Sequence, residues 1–101
     1  MLMFIVIGPN CWGRAETQKA AYQKARSYVP SGYAGKRMPF VAYQYDEAKV
    51  EAWVDDIFGN LEWRTEDRAN DPVVVDAWGV SDSHMKRAKA YKEAQKAQKT
   101  A

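Results

Sequence analysis

The chain opens with an unbroken apolar stretch, Leu2 to Ile7, which is followed at once by the turn-forming residues Gly8-Pro9-Asn10. A short apolar run that contains β-branched residues and ends in turn residues is typical of a buried strand. The stretch is too short to span a bilayer, which needs about 20 apolar residues. It also lacks the positive leader and the small-residue cleavage pattern of a secretory signal. We therefore expect a sheet built around residues 2–8.

Length and composition predict a single folded domain around this strand. A chain of 101 residues can bury a modest core, and the hydrophobic fraction of 47% and aromatic fraction of 13% supply the side chains to fill it. Cys11 is the only cysteine, so no disulfide can form within the chain, which fits a reducing compartment. We predict a soluble, cytoplasmic protein that does not associate with membranes.

The first half of the chain continues with a predicted helix and a second strand. Residues 15–28 are mostly strong helix formers, and their apolar residues fall on one stripe. The proline and two glycines of residues 29–37 end this pattern. Residues 38–45 then resume a strand-like composition, and Pro39 marks the entry to that strand.

Residues 46–58 are ambiguous between a helix and a strand. Asp46 can cap a helix and Gly59 can end one, and both agree with apolar residues at helical spacing, so we favour a helix. Against this, apolar residues alternate over 50–54 as they would in a strand.

The second half of the chain predicts two strands and a final helix. The segments NLEWRTED (60–67) and DPVVVDAWG (71–79) have strand composition. From Ser83 onward Ala, Lys, Glu and Gln dominate, which predicts a helix to at least residue 95 and a frayed tail over 96–101. The order β-α-β-(α)-β-β-α predicts one small α+β domain, with a mainly antiparallel sheet of about four strands and two or three helices.

The segment after the first strand partly matches a phosphate-binding loop. Gly8 and Gly13 have the spacing of the two glycines in G-x-x-x-x-G-K-[ST]. However, Arg14 replaces the lysine, and Ala15 provides no hydroxyl for a metal. Asp76, which ends the apolar run VVV, imitates the magnesium-binding acid of such enzymes. Because the chain is too short for their doubly wound sheet, we interpret the two glycines as a bend from strand into helix.

A weaker functional hypothesis survives at the same place. The start of the helix that follows, with Arg14 beside it, could bind an anion such as a nucleic-acid phosphate, because helix N-termini attract negative charge.

The opening sequence FIVIGPNCWGRAETQKAAYQKA, within residues 3–25, also carries a family resemblance. It resembles a loosely defined set of small phage proteins that begin with a strand, an Asn-containing turn, Trp-Gly-Arg or Trp-Gly-Lys, and a helix. The resemblance implies a phage origin and a role in modifying host machinery. It transfers no catalytic residue.

Charge is segregated along the chain, although the net charge is only +2. Residues 1–38 contain six Lys or Arg and one Glu, a net charge of +5. Residues 39–82 contain three Lys or Arg and eleven Asp or Glu, a net charge of −8. Residues 83–101 return to +5, with six Lys or Arg and one Glu. Such patterning can steer a charged partner, or the oppositely charged segments can pack together and neutralise each other.

Other chemistry-bearing residues have simpler structural explanations. His84, the only histidine, follows Ser81, Asp82 and Ser83, and a capping role for Asp82 or Ser83 explains these residues better than a catalytic triad does. Cys11 has no evident base partner that would make it a nucleophile. The acid pairs 55–56 and 66–67 do not follow a calcium-loop spacing. We therefore expect no metal, no cofactor and no catalytic residue.

The leading hypothesis is a non-catalytic interaction protein, of phage origin, that binds and inhibits a host protein or nucleoprotein complex. Dense carboxylates can occupy a partner's nucleic-acid groove because they present phosphate-like charge. The predicted contact surface is the acidic face formed by Asp46, Glu47, Glu51, Asp55 and Asp56.

The alternative hypothesis is direct nucleic-acid binding through basic residues. Lysines and arginines would contact phosphates and nearby tyrosines would stack on bases, so binding would weaken as salt rises. The predicted contacts are Arg14, Arg26, Lys36, Arg37, Lys86 and Arg87, with the remaining lysines of the C-terminal helix.

Overall fold

The apolar stretch at the start of the chain forms an inner strand of a four-stranded antiparallel sheet. The computed structural model describes residues 1–33, 35–55 and 60–100, and side chains in the last segment as far as Gln98. The elements are β1 (Leu2–Gly8), β2 (Cys11–Ala15), α1 (Gln18–Arg26), β3 (Phe40–Asp46), β4 (Val50–Val54), β5 (Leu61–Thr65), β6 (Val73–Trp78) and α2 (Asp82–Thr100). The sheet has the strand order β2-β1-β3-β6, and β4 pairs with β5 in a separate hairpin. The α+β class and the mainly antiparallel sheet of four strands are confirmed.

The bend predicted after β1 is a tight hairpin. Gly8 pairs with Cys11 across a two-residue turn, and the strand β2 then runs back along β1. Asn10 has a φ of +52°, a left-handed conformation that Asn tolerates better than most residues. The prediction of a bend directly into a helix over 15–28 was therefore wrong at its start. Helix α1 begins only at Gln18, where the Thr17 side chain accepts the N–H of Ala20.

Helix α1 packs unusually close to β2 because of Gly13. A Cβ at this position would lie 2.4 Å from the carbonyl oxygen of Ala21 and 2.6 Å from the amide nitrogen of Ala25. Both alanines are fully buried in the cluster that also contains Val6 and Cys11. Gly13 thus serves helix packing, because any side chain would collide with the backbone of α1.

The described part of the segment 46–58, residues 46–55, does not form the helix that we favoured. The strand β4 occupies 50–54, and its buried residues Val50, Ala52 and Val54 pack against Ile5 and Tyr45 of the main sheet. The segment forms a strand because the strand period of two directs its apolar side chains to one side, where they bury the apolar residues on this face of the main sheet. The proposed stop at Gly59 lies outside the described residues.

The hairpin and α1 cover opposite faces of the main sheet. Along β3, Phe40 and Ala42 belong to the cluster beneath α1, whereas Tyr45 belongs to the cluster beneath the hairpin. Alternate residues of a strand point to opposite faces, so the sheet is the middle of three layers. We call these two sides the helix face and the hairpin face.

Helix α2 packs along β6. Ala88 contacts residues of the hairpin face, including Val41 and Val74, and Tyr91 packs against the cluster of the helix face. The helix therefore crosses the β6 edge from one face to the other. The prediction of a helix to at least residue 95 is confirmed, since α2 extends to Thr100, whereas fraying of its end stays a prediction.

Candidate functional site

The structure divides the predicted acidic face rather than presenting it as one surface. Asp46 stabilises a turn: its Oδ1 accepts hydrogen bonds from the N–H of Ala48 at 3.0 Å and from the terminal ammonium of Met1 at 3.1 Å. The bond from Ala48 and that from the ammonium, with Lys49 nearby, hold the pKa of Asp46 below its usual range. Asp46 is thus engaged within the fold, and a partner would compete with these contacts.

Glu47 and Glu51 lie together at the open end of the β4–β5 hairpin. They line a groove of about 720 Å³, which we call the acidic groove. Its other charged residues are Glu66, Asp67, Lys49 and Arg64, so four carboxylates face two cations. Within the described part of the chain, the ion pairs within 4.0 Å are Met1–Asp46 and Lys92–Asp76, so neither Glu47 nor Glu51 is neutralised by a salt bridge.

The last two predicted acidic residues lie away from the groove. Asp55 follows β4 at the opposite end of that strand from the groove, is half-buried, and its N–H donates to the carbonyl of Asn60 at 2.9 Å. Asp55 lies four positions after Glu51 along an extended chain, a distance of about 13 Å. Asp56 lies outside the described residues.

The outer surface of the hairpin adds residues that sequence reasoning missed. Trp53 is 41% exposed between Glu51 and Asp55, and its indole N–H donates to Glu62 at 2.7 Å. Trp63 is 42% exposed but pairs with the buried Ala52, so it lies on the inner side of the hairpin, where its indole N–H donates to Asp71 at 3.2 Å. Reading 46–58 as a helix concealed this arrangement, whereas the alternation over 50–54 could have revealed it. Exposed tryptophans are frequent anchors of protein interfaces.

The predicted basic residues are distributed over separate parts of the molecule. Arg14 lies on the hairpin face, where its guanidinium donates to the carbonyl of Ala52 at 3.2 Å and to the hydroxyl of Tyr45 at 3.4 Å. It therefore ties the hairpin to the sheet and does not lie beside the N-terminus of α1. The structure therefore does not place the Arg14 side chain at that helix start, and anion binding there stays a prediction.

Two other arginines of the alternative site also contact the protein itself. Arg26 Nη2 donates to the carbonyl of Tyr33 at 3.0 Å, while its Nη1 is buried without a hydrogen-bond partner among the described residues. The Arg37 guanidinium lies over the Trp78 ring, 4.2 Å from its centroid, in a cation–π contact. Lys36 is exposed in the loop before β3, and Lys86 and Arg87 are exposed on α2. The six residues do not form one surface.

Asp76, whose place after an apolar run resembles that of the magnesium-binding acid in phosphate-loop enzymes, is the centre of a polar network between the helices. Its carboxylate accepts hydrogen bonds from Lys92 Nζ at 2.6 Å and Gln18 Nε2 at 2.8 Å, and from the N–H of Ala77 at 2.9 Å. Burial alone would raise the pKa of Asp76, but the bonds from Lys92 and Gln18 outweigh it and lower the pKa. The network links β6 to α1 and α2.

His84 lies in a short hydrogen-bonded chain at the start of α2. Its Nδ1 is 2.8 Å from Ser81 Oγ and its Nε2 is 3.4 Å from the Tyr43 hydroxyl. Burial raises the pKa of Tyr43, and Arg87 partly opposes this shift. Because α2 begins at Asp82, the residue that precedes the helix is Ser81, so the predicted cap at Asp82 or Ser83 was placed too late.

Cys11 is buried beside Met38, with its sulfur 3.6 Å from the Met38 sulfur. Burial raises the pKa of the Cys11 thiol, although the Gly8 N–H and the charge of Arg26 partly oppose this. A buried thiol with a raised pKa is a poor nucleophile.

Among residues 1–33, 35–55 and 60–100, no group of three or more His, Cys, Asp or Glu side chains could hold a metal ion. In the same part of the chain, no helix is long and apolar enough to cross a membrane. Comparisons with protein-family models, with curated proteins and with solved structures give no match to this chain.

Proposed function

We propose that the protein is a non-catalytic interaction protein that binds a cationic surface of a macromolecular partner through the acidic groove and the outer surface of the hairpin. The observation that supports this proposal most strongly is that Glu47 and Glu51 are exposed, lie in one groove, and form no salt bridge within the described residues. Carboxylates in this state keep their charge available to a lysine or arginine of a partner.

Trp53 supports the same surface. It is held by its hydrogen bond to Glu62 and lies next to Glu51 on the outer side of β4. A rigid, half-exposed indole can contribute apolar contact area at small entropic cost, and the surrounding carboxylates then favour a basic partner over an acidic one. The proposed recognition thus combines one aromatic anchor with complementary charge.

The finer proposal is that this surface competes with nucleic acid for a host protein or nucleoprotein complex. A nucleic-acid-binding groove presents lysines and arginines to phosphates, and the carboxylates of the acidic groove would meet the same side chains. Inhibition of the host machine would follow from occupying that groove, in keeping with the phage origin that the opening sequence implies.

The test is affinity capture from a bacterial lysate, with and without nuclease. We expect the wild-type chain to retain a partner after nuclease treatment, and Glu47→Lys combined with Glu51→Lys to abolish retention. The matched control is Glu16→Lys combined with Glu93→Lys, because these glutamates are also exposed but lie outside the hairpin. Retention that survives reversal at 47 and 51, or that fails equally in the control, would contradict the proposal.

Direct nucleic-acid binding stays the second candidate, although the fold engages Arg14, Arg26 and Arg37 internally. A gel shift at two salt concentrations tests it. If the basic residues bind phosphates, affinity falls steeply with added salt. In that case the partner in the lysate would also disappear on nuclease treatment.

A further inference from the structure

A second surface lies at the outer edge of β2, and its chemistry differs from that of the acidic groove. Strand β2 ends the order β2-β1-β3-β6, so β1 is its only neighbouring strand among the described residues. A groove of about 890 Å³ follows this edge. Trp12 and Arg14 line it from the hairpin face, and Lys24, Ser27 and Tyr28 line it from the end of α1. The groove therefore straddles the edge of the sheet and reaches both faces.

The register of the first hairpin shows which backbone groups point into this groove. Gly8 and Cys11 close a two-residue turn, so these two residues exchange hydrogen bonds, as does every second pair beyond them. The peptide groups of Trp12 and Arg14 consequently point away from β1. The Lys24 ammonium, which donates to the Arg14 carbonyl at 3.0 Å, shows that this carbonyl does point outward.

Lys24 covers the edge in the way that lysines commonly protect exposed strands. It satisfies the Arg14 carbonyl with a bond that a neutral peptide would have to displace. A peptide that carries a carboxylate offers Lys24 a better acceptor, because hydrogen bonds between charged groups are stronger. Arg14 and Lys24 are the charged residues of the groove, and no carboxylate lines it in the described part of the chain.

We propose that this groove binds an extended acidic peptide segment of a partner as an additional strand beside β2. The five residues of β2 span about 17 Å and would pair with a peptide of similar length. A peptide N–H donates a hydrogen bond to the Arg14 carbonyl in place of Lys24. The Lys24 ammonium then forms a salt bridge with a glutamate or aspartate of the peptide. Alternate peptide side chains contact the Trp12 side of the groove and the 73% exposed Tyr28.

The first test uses a labelled eight-residue peptide that alternates glutamate with valine, in a fluorescence-anisotropy titration of the full chain. The control peptide alternates lysine with valine. We expect the acidic peptide to bind and the basic peptide to bind at least about tenfold more weakly, since the charged residues that line the groove in the described part of the chain are cationic. No binding of the acidic peptide up to ~1 mM would overturn the proposal.

Two further comparisons separate strand addition from simple charge attraction. N-methylation of every second peptide amide removes the main-chain donors on one edge, so affinity should fall about tenfold if a strand is added. Lys24→Glu should weaken binding about fivefold or more, whereas Lys19→Glu, an exposed lysine of the same helix, should change it less than twofold. Equal affinity for the methylated peptide, or equal losses in the two lysine variants, would overturn the proposal.

Other occupants of the edge give distinct results. If a second copy of the chain pairs at β2, light scattering shows a dimer that the acidic peptide does not dissociate. If single-stranded nucleic acid occupies the groove, a labelled oligothymidine binds more tightly than the acidic peptide and loses affinity in Lys24→Glu. Either result would overturn the proposal without bearing on the acidic groove.

Discussion

The helix face and the hairpin face of the main sheet are covered by different means. On the helix face, Gly13 lies against the backbone of α1, and the fully buried Ala21 and Ala25 leave room for that approach. On the hairpin face, Val50 and Ala52 contact the sheet, while Glu51 between them points to solvent. The helix contact depends on the absence of side-chain atoms, and the hairpin contact depends on a period of two.

This difference separates stability from recognition. Each residue of the helix contact is fixed by the close approach of two backbones, so little freedom is left there for binding a partner. In strand β4 of the hairpin, every second side chain points to solvent and does not pack against the main sheet. Glu51 and Trp53 occupy these positions. The hairpin is therefore the region where surface chemistry can change without loss of the fold.

The largest expected effect is a substitution of Gly13, which would show how strictly the helix face is packed. Gly13→Val should destabilise the protein by about 3 kcal/mol or more, because its side chain collides with the α1 backbone and not with a movable side chain. Urea denaturation measures the change in the free energy of unfolding. The control is Gly32→Ala, since a Cβ at Gly32 meets nothing within 4 Å. A loss below about 1 kcal/mol in Gly13→Val would mean that α1 is not fixed by this contact.

A smaller effect is expected from the inner residues of the hairpin. Val50→Ala should cost about 2 kcal/mol, because it removes buried methyl groups from the cluster around Ile5 and Tyr45. Glu51→Gln, its exposed neighbour, should stay within about 0.5 kcal/mol of the wild type. Thermal and urea unfolding of both variants measure the contrast. Similar losses at positions 50 and 51 would contradict the alternation on which the hairpin face is built.

Asp76 should contribute about 1 kcal/mol, and its contribution should depend on pH. Its side chain is 24% exposed, so solvent screens part of the network with Lys92 and Gln18. Since folding lowers the pKa of Asp76 below its ordinary value of 3.8, the contribution is present above that pH and is lost as pH falls through the folded pKa.

The corresponding measurement compares Asp76→Asn with the wild type in urea at several pH values. The stability difference should be constant near neutral pH and should shrink below about pH 4. A difference that instead grows as the solution is acidified would show that the sign of the shift is wrong.

The smallest expected effect on stability is that of Trp53→Phe, which keeps an aromatic ring and removes the donor to Glu62. Exposed substitutions of this kind change the free energy of unfolding by no more than about 0.5 kcal/mol. If the hairpin surface binds a partner, capture from the lysate should weaken while the unfolding curve stays in place. A large loss of stability would place Trp53 among the residues that hold the fold.

Particular residues show what the sequence could and could not predict. The run from Leu2 to Ile7 predicted β1 because burial and turn chemistry are both local signals. The helix favoured over 46–58 was wrong over residues 46–55, where β4 forms instead. Asp46 and Gly59 are plausible helix ends, whereas packing against the hairpin face of the sheet is a tertiary constraint. Local sequence composition could not predict this tertiary packing.

The candidate site shows the same limit. Glu47 and Glu51 were predicted from charge density and do lie in one groove, whereas Asp46 is engaged by the Met1 ammonium, which directly precedes β1. No local pattern reveals that contact, because the partners lie 45 positions apart in the sequence. The position of Trp53 among the carboxylates could have followed from a correct strand assignment.

The most direct test of recognition by the hairpin surface is a two-dimensional amide NMR titration of the ¹⁵N-labelled chain with the partner recovered from the lysate. We predict that the indole N–H signal of Trp53 and the amides of Glu47 and Glu51 shift or broaden, while those of Lys86 and Arg87 on α2 do not. Perturbations confined to α2 or to the β2 edge, with an unchanged Trp53 signal, would contradict the proposed function.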